Sequence, residues 1–455
     1  MKNLIIKIIG IALLLLSTSC SKESCSYVTN CVENEPEGYM VTTQSSNTYS
    51  SVGKIYKTTY NSNAPVGGDW NDSSLGANQI QSIQPAMWTY TDIGLVFGIA
   101  LDNSKGVYLS ATNVYEHLWP FVALSTYGPA GSAGIYYTDI STPTSTNTTI
   151  PLVKTGSTST PNTVGTAFIP NSGIGTGNSI GNIAYDKTNN QLFATNLEDG
   201  RIYRIDTTTG IVKSIFDPFV IDNAIDGLAP QGEQLWGIGV LNEAGKTYVY
   251  FARTVTFLPL VNWASNPGTK EIWSIELDSN GEFLATEVGA TKLFNDTPSS
   301  SKKEVPNVLG TQAIVSDIAF SCSGRMLLAE KGHPHESLVL EYVKSGATWI
   351  PGNNFYVGNY AAGDNSAGGV DYGSRENLGS FTPDDIVWST GNYLNAAPNI
   401  MYGVQGMSAS GNSPLLLPNS TTDLFIDYNS VYGTSDKGGH GDVEIFDSSC
   451  PCNKK

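Results

Sequence analysis

Four short apolar runs follow one another between residues 181 and 216, and clusters of turn-forming residues separate them. The runs are about five residues long and rich in Ile, Tyr and Phe, which is typical of β-strands. The segments D-K-T-N-N, L-E-D-G and D-T-T-T-G between them favour tight turns. The pattern therefore predicts a four-stranded antiparallel meander with strands at Ile183 to Tyr185, Leu192 to Ala194, Ile202 to Ile205 and Ile211 to Ile215.

Similar patterns recur along the chain at uneven spacing. One meander hides little apolar surface, so it becomes stable only when similar sheets pack face to face, as in a β-propeller. We therefore predict an all-β fold with a single six-bladed propeller, closed by pairing of the N- and C-terminal strands. A seven-bladed propeller and two β-sandwich domains are the alternatives. Five repeats begin near residues 97, 181, 226, 317 and 384, and a sixth is split between 52–60 and 441–447.

The composition is typical of a turn-rich extracellular protein. Charged residues make up only 14% of the 455-residue chain, which contains 47 Gly and 10% aromatic residues. This balance suits neither a helical enzyme nor a disordered chain, which would contain fewer aromatic residues. The net charge of −17 argues against nucleic acids and anionic membrane surfaces as partners, because both are bound through basic patches.

The N-terminus has the features of an export signal. Lys2 and Lys7 precede an apolar run over residues 8–16, which is too short to cross a bilayer about 30 Å thick as a helix. The segment L-S-T-S-C, ending at Cys20, resembles a bacterial lipobox. It predicts a lipoprotein whose lipidated Cys20 attaches it to the outer membrane, on the periplasmic or the cell-surface side. An ordinary cleaved signal peptide is the alternative. A polar tether (21–50), the propeller domain (51–449) and a C-terminal tail (450–455) would follow the signal peptide (1–20).

The remaining cysteines lie mostly near the two ends of the chain. An exported protein reaches an oxidising compartment, where such cysteines are candidates for disulfides. We expect Cys25 or Cys31 to bond to Cys450 or Cys452 and staple the ends of the propeller, although the connectivity stays open. A metal or redox site at the C-x-C segment is the alternative. Cys322 is expected to be a small buried apolar residue.

Residues 181–206 resemble the blade motif of the NHL-type and gluconolactonase-like six-bladed propellers. The segments G-N-I-A-Y-D, Q-L-F-A-T-N and G-R-I-Y-R-I-D are similar to that motif's G-[VI]-A-x-D, L-Y-V-A-D and R-I-x-x-[FI]-D, and residues 97–113 and 317–343 match it less closely. The resemblance covers about half of the chain and implies a fold rather than a chemistry, because propellers host enzymes, electron carriers and scaffolds alike. Separately, Ser21-Lys22-Glu23 is similar to the start of the surface-export signal of Bacteroidota lipoproteins, with Ser24 in place of the usual second acidic residue.

In such propellers, the loops between the second and third strands and the segments leading into the first strands share one functional face. Oxygen-rich side chains there could hold Ca²⁺, which prefers carboxylate and amide ligands. The gluconolactonase-like family binds its metal with Glu, Asn and Asp, but this chain lacks a clear match to the full ligand set. The alternative is that these residues form turns by bonding to their own backbone. The candidates are Asn113, Glu116, His117, Asn196, Glu198, Asp199, Glu330, His333, His335 and Glu336 in the loops, and Asp226, Asp317 and Asp385 before first strands.

The densest local group of chemically useful side chains is His333-Pro334-His335-Glu336. Two imidazoles and a carboxylate could bind zinc or transfer protons, with His117 as a further ligand. Pro334 keeps this loop extended and would separate the rings, so a solvated polar loop is the alternative. Tyr115 and Trp119 could stack on sugar rings, contact a protein partner or fill gaps between blades.

The sequence contains no G-x-S-x-G, H-E-x-x-H, P-loop or C-x-x-C motif, so nucleophilic hydrolysis has no positive support. The leading prediction is a binding module for a glycan, a peptide or a protein. A metal-dependent lactonase or hydrolase is the alternative, and a structural envelope component is a third possibility. A divalent ion bound at the channel mouth and ringed by three or more of the named acidic residues or amides would favour the enzyme, and a shallow aromatic groove without convergent carboxylates would favour binding.

Overall fold

The computed structural model describes residues 38–446 apart from several segments. The predicted signal peptide, Cys20, Cys25, Cys31, Cys322, Cys450 and Cys452 all lie outside the described residues, and the predictions about them stand as predictions. Within the described part of the chain, no helix has the length and apolarity needed to cross a membrane. The structure does not describe residues 1–37, 45–49, 59–64, 113, 116–126, 132, 154–179, 198, 220–228, 230–231, 255–268, 285–300, 310–312, 322, 333–334, 378–379, 396–399, 413–422, 430–438 and 447–455.

The described strands form six four-stranded antiparallel sheets, which are the blades of a β-propeller. In five blades the strands follow chain order from the centre outwards. Blade 2 contains β4 (Val96–Leu101), β5 (Gly106–Ala111), β6 (Ile135–Asp139) and β7 (Thr149–Val153). Blade 3 contains β8 (Ile180–Asp186), β9 (Gln191–Asn196), β10 (Arg201–Asp206) and β11 (Val212–Phe216). Blade 4 contains β12 (Leu235–Glu243), β13 (Lys246–Thr254), β14 (Lys270–Glu276) and β15 (Ser301–Val305).

Blade 5 contains β16 (Ile314–Phe320), β17 (Arg325–Lys331), β18 (Val339–Ser345) and β19 (Thr348–Phe355). Blade 6 contains β20 (Ser366–Asn377), β21 (Ser380–Asn395), β22 (Met401–Ser408) and β23 (Leu424–Asp427). Blade 1 joins the two ends of the chain, because its central strand β24 (His440–Phe446) pairs with β1 (Tyr39–Gln44), followed by β2 (Gly53–Lys57) and β3 (Gln81–Ile83). The predicted six blades and their closure by the terminal strands are confirmed.

The apolar core is divided into layers between neighbouring blades. Between blades 3 and 4, for example, Phe193 and Ile202 of one sheet pack against Ile238 and Phe251 of the next. Comparable layers lie at the other five junctions. Each sheet is thus covered on both faces, which explains why the first strands are apolar on both sides and why one meander would not be stable alone.

Two predicted boundaries differ from the structure. Strand β1 lies within the predicted tether 21–50, so the propeller begins before residue 51. The predicted fifth repeat began one strand late: Asp385 lies in β21, the second strand of blade 6, because β20 occupies the first position. The start of β20, S-A-G-G-V-D-Y, contains only scattered apolar residues, so it lacks the signal that marks the other first strands.

Candidate functional site: the channel and the loop face

All six first strands carry the same irregularity where they pass the central channel. In five of them the register with the second strand shifts just before an Ile or a Val, and in blade 5 it shifts between Val315 and Asp317, one residue before Ile318. Such a bulge turns a residue out of the regular ladder. Around the ring, the residue directly before that Ile or Val alternates between glycine and a polar side chain. In blades 2 to 6 and then blade 1 these residues are Gly98, Asn182, Gly237, Asp317, Gly369 and Asp442.

The three polar residues, Asn182, Asp317 and Asp442, form what we call the axial triad. The Asn182 side-chain amide donates to Oδ1 of Asp317 at 3.1 Å, and carboxyl oxygens of Asp317 and Asp442 lie within 4.8 Å of each other. These residues belong to blades 3, 5 and 1, which are not neighbours in the ring, so the contacts cross the channel. The intervening glycines provide the space: a Cβ on Gly98 would collide with Oδ1 of Asn182, and one on Gly369 would lie 2.5 Å from Cα of Asp442.

The axial triad also joins the first strands of neighbouring blades. Asp317 accepts hydrogen bonds from the backbone N–H of Ile318 at 2.8 Å and from that of Val370 in blade 6 at 2.9 Å. Asp442 accepts from the N–H of Val443 at 2.9 Å and from that of Ile99 in blade 2 at 3.1 Å. These bonds satisfy donors on strand edges that have no further strand to pair with. The two carboxyl groups therefore have a structural role.

Two further carboxyl groups, Asp371 and Glu444, lie near the triad on β20 and β24. Burial raises the pKa of Asp371 and of Asp442 to about 7. Burial, followed by the neighbouring carboxylates, also raises the pKa values of Asp317 and Glu444 well above their ordinary range. Like charges in a buried site cannot all ionise, so this cluster retains protons at neutral pH.

The channel cluster is chemically suited to a divalent cation. Oxygens of Asp317, Asp442 and Glu444 lie within 4.8 Å of one another, and Ca²⁺ prefers such hard oxygen ligands. However, the first two carboxyl groups already accept backbone hydrogen bonds. The carboxyl groups could therefore bind a cation. They could equally serve without one, by retaining protons and joining neighbouring blades.

Asp317 was expected in the segment leading into a first strand, on the functional face. It lies instead inside β16, at the channel axis, because the strand begins three residues earlier, at Ile314.

Glu330 was expected in a loop, but it lies near the end of β17 and is fully buried. It forms an ion pair with Lys270 of blade 4, and its Oε2 accepts from the backbone N–H of Leu338 at 3.0 Å. This contact network makes Glu330 part of the junction between blades 4 and 5.

Asn196 is the last residue of β9 and Asp199 lies in the turn that follows it, and both are buried. Asp199 accepts from the N–H of Arg201 at 3.0 Å and from the Tyr203 hydroxyl, and burial raises the pKa of Asp199 to about 6. This geometry is that of a turn-forming carboxylate. Among the other candidates, Asn113, Glu116, His117, Glu198, Asp226 and His333 lie outside the described residues.

The second strands end on the side of the propeller where the first strands begin, and we call this side the loop face. On it, an aromatic platform is formed by His335 after β17, Tyr360 before β20 and Tyr393 near the end of β21. The ring centroids of His335 and Tyr360 are 4.5 Å apart, those of Tyr360 and Tyr393 are 4.9 Å apart, and those of His335 and Tyr393 are 5.7 Å apart. Tyr360 is 48% exposed, so the platform reaches solvent.

The buried Asn365 holds the platform together. Its Oδ1 lies 2.5 Å from Nδ1 of His335, and its Nδ2 donates to the backbone carbonyls of Val357 at 2.8 Å and Tyr360 at 2.6 Å. Its own carbonyl accepts from the N–H of Asn392 at 2.9 Å. The side chain and the backbone carbonyl of this one residue therefore join segments of blades 5 and 6 and the linker between them.

The backbone around the platform is strained. His335, Ala362 and Tyr393 all have positive φ, at 71°, 61° and 57°. For residues with a side chain this conformation costs roughly 1–3 kcal/mol and persists only where the surroundings enforce it. Such positions gather at ligand sites, which makes the platform a better candidate than an ordinary surface loop.

The sequence pattern could have indicated the axial triad, but not the aromatic platform. Asn182 and Asp442 occupy the same position as Asp317 in their repeats, so aligning the repeats would have revealed the axial triad. Tyr360, Tyr393 and Asn365 come from separate segments with no common motif, and only the tertiary structure brings them together.

No protein-family model and no curated protein matches this sequence. Solved structures with a similar course of the chain include the hypothetical selenium-binding protein from Sulfolobus tokodaii, with a TM-score of 0.45, 10% identity, and coverage of 92% of this chain and 96% of the other. The nidogen/laminin complex gives a TM-score of 0.43, 11% identity, and coverage of 90% and 98%. A protein from Lactobacillus plantarum gives a TM-score of 0.40 at 11% identity, with coverage of 90% of this chain and 99% of the other. These likenesses are too weak to bear on function. The class of the protein, a six-bladed β-propeller, follows from its own strand pairing.

Proposed function

We propose that this protein is an extracytoplasmic binding module, a β-propeller lipoprotein held on the outer membrane through Cys20 that presents its loop face to a glycan, peptide or protein ligand. The observation that carries the proposal is the aromatic platform. It is exposed, it comes from three separate segments, and a strained backbone and a buried asparagine hold it in place. Amphipathic aromatic side chains of this kind are enriched at binding sites.

Binding is tested with the purified propeller on two panels, an oligosaccharide array and a random peptide library. The expected result is saturable binding to members of at least one panel, weakened by Glu336→Arg beside the platform. Asn280→Arg, in an exposed turn after β14 on the opposite side, is the matched control and should leave binding unchanged. Equal loss in both variants, or binding that neither affects, would contradict the assignment of the loop face.

Membrane anchorage is tested separately by cell fractionation. We expect Cys20→Ala to move the protein from the membrane to the soluble fraction, because the lipid would be lost. Cys25→Ala is the control and should stay with the membrane. Retention of the Cys20→Ala protein in the membrane fraction would refute lipid attachment.

A metal-dependent lactonase or hydrolase is the second candidate, and the carboxylates of Asp317, Asp442 and Glu444 are the observation that favours it. Calorimetric titration with Ca²⁺ at pH 8, where these groups lose protons more readily, tests the first requirement. Binding abolished by Glu444→Gln, together with chelator-sensitive lactone hydrolysis, would support the enzyme. Absence of Ca²⁺ binding would exclude a calcium-dependent form.

A further inference from the structure

Polar side chains gather where blade 1, which joins the two ends of the chain, packs against blade 6. Gln44 of β1 lies directly opposite His440 of β24, and residues opposite each other in an antiparallel pair project to the same face of the sheet. Lys54 of β2 lies opposite Thr42, which shares that face with Gln44 because side chains alternate along a strand. The centroid of the His440 ring is 5.6 Å from that of Tyr428, which follows β23, so this face is turned towards blade 6. We call Thr42, Gln44, Lys54 and His440 the closure site.

The closure site contains hydrogen-bonding groups that have no partner. Gln44 and Thr42 are fully buried. Among the described residues, nothing bonds to Oε1 or Nε2 of Gln44 or to Oγ1 of Thr42. Buried polar atoms without a partner are costly, and native structures usually satisfy them with an ordered water or an ion. The unused amide of Gln44 therefore indicates a small bound species beside it.

The closure site is also positively charged. Lys54 donates from Nζ to the backbone carbonyl of Tyr428, and this Nζ lies 4.2 Å from the centre of the Tyr428 ring. Lys331 of blade 5 donates from Nζ to the backbone carbonyls of His440 and Ala367, both at 2.6 Å. Burial lowers the pKa of Lys54 and lowers that of Lys331 to about 7. Burial, followed by the charges of the two lysines, lowers the pKa of His440 to about 3, so the imidazole between them is neutral at pH 7.

Negative charge offsets these lysines only in part. Asp427 raises the pKa of Lys54 and Asp442 raises that of Lys331, but burial outweighs both effects. Asp427 accepts from the backbone N–H of Tyr402 at 3.2 Å, and Asp442 has a pKa raised to about 7 by burial. Within the described part of the chain, both ammonium groups bond to backbone carbonyls rather than to carboxylates. A buried charge without a counter-ion is costly, so an anion suits this site better than a water molecule, which would leave the charge unpaired.

We propose that one small monovalent anion, such as chloride, binds at the closure site between the Lys54 ammonium group and the Gln44 amide, beside the His440 ring. Gln44 and His440 are 0% exposed, so a large anion cannot reach them, whereas Lys54 is partly exposed and gives a small ion a route from solvent. One negative charge suffices, because Asp427 and Asp442 already offset part of the positive charge. The anion would join β1, β2 and β24 to blade 6 where the ring closes. Its role is therefore stability, and it is independent of the proposed binding function.

The first test is the dependence of the melting temperature on chloride. Sodium gluconate, whose anion is too large for the site, is replaced stepwise by sodium chloride at constant ionic strength, and Tm is measured by scanning calorimetry. We expect Tm to rise and then saturate, because a ligand that binds only the folded state stabilises it by mass action. Crystals soaked in bromide should show an anomalous peak within hydrogen-bonding distance of Nε2 of Gln44 and Nζ of Lys54.

Four variants assign the effect to the site. Lys54→Met should abolish the rise of Tm with chloride, because it removes the positive charge. Gln44→Leu should weaken the apparent affinity for chloride about tenfold, since one hydrogen bond to a charged group is worth about that factor. Gln44→Glu places a carboxylate where the anion would lie, so its Tm should not respond to chloride. Lys246→Met removes an exposed lysine of β13 in blade 4 and is the matched control, which should keep the full chloride effect.

Several results would overturn the proposal. A Tm that ignores chloride, or that responds equally in the wild type and in Lys54→Met, would show that no anion acts at the closure site. A density peak there without anomalous signal from bromide would identify a water molecule instead. Tighter binding of sulfate than of chloride would contradict a small monovalent ligand. None of these results bears on the proposed binding function, which the oligosaccharide and peptide panels test separately.

Discussion

The buried ion pair between Lys270 and Glu330 joins blades 4 and 5, and its removal gives a quantitative test of the structure. The side chains are only 4% and 0% exposed. Glu330→Gln keeps the size of the side chain but removes the charge opposite Lys270. Loss of one partner from a buried pair costs about 3–5 kcal/mol, because the remaining charge stays in a poorly solvated site.

This loss can be converted into a melting temperature. An unfolding entropy of about 2.1 cal/mol/K per residue, over about 400 residues, gives about 0.8 kcal/mol/K. A loss of about 3–5 kcal/mol therefore lowers Tm by about 4–6 °C, measured by scanning calorimetry. The combined Lys270→Met and Glu330→Gln variant should lose less than the sum of the two single variants, since it leaves no charge behind.

The control is the exposed pair of Lys246 and Glu276, whose side chains are 54% and 29% exposed. Glu276→Gln should cost less than about 1 kcal/mol, as is usual for surface pairs. Equal effects of Glu330→Gln and Glu276→Gln, or strict additivity in the double variant, would show that the pair at the blade junction is not buried as the structure has it.

The channel makes two further predictions. Because the pKa values of Asp371 and Asp442 rise from 3.8 to about 7 on folding, the folded state binds more protons than the unfolded state between these values, so stability to urea should fall as pH rises from about 4 to about 7. Burial lowers the pKa of His440 to about 3, so this residue alone makes stability rise with pH below pH 6.5, but it contributes one proton against several from the carboxyl groups. Asp371→Asn should reduce the dependence of stability on pH. Stability that rises from pH 5 to pH 7 would contradict the protonation of the channel carboxyl groups. Gly98→Ala should lower the free energy of unfolding by about 1–3 kcal/mol, because the added methyl group overpacks against Asn182. Adding Asn182→Gly should recover part of this loss. An unchanged urea midpoint in the Gly98→Ala protein would mean that the side chains do not converge in the channel as described.

The blades themselves could be predicted from sequence because their signal is local. In residues 181–216, each strand combines apolar residues with a following turn, and all four strands formed where expected. Blade 6 shows the limit of this signal. Its first strand is held by neighbours on both sides rather than by its own apolar residues, so the glycine-rich β20 was not recognised as the start of a blade.

Much of the site depends on contacts between distant segments. A single repeat cannot show that Asn182, Asp317 and Asp442 meet, because the ring closure sets their separation. Glu330 illustrates the converse: its sequence context suggested a surface loop, and only the position of Lys270, 60 residues earlier, makes it a buried partner.

The sequence by itself determined most of the strands, the turns and the acidic character of the protein, because each depends on neighbouring residues or on composition. It also indicated the closure of the ring, because residues 52–60 and 441–447 each carry part of one repeat. The tertiary structure alone decided which carboxyl groups share protons in the channel and which aromatic rings form one surface. Those properties depend on distances across the ring, which no local pattern encodes.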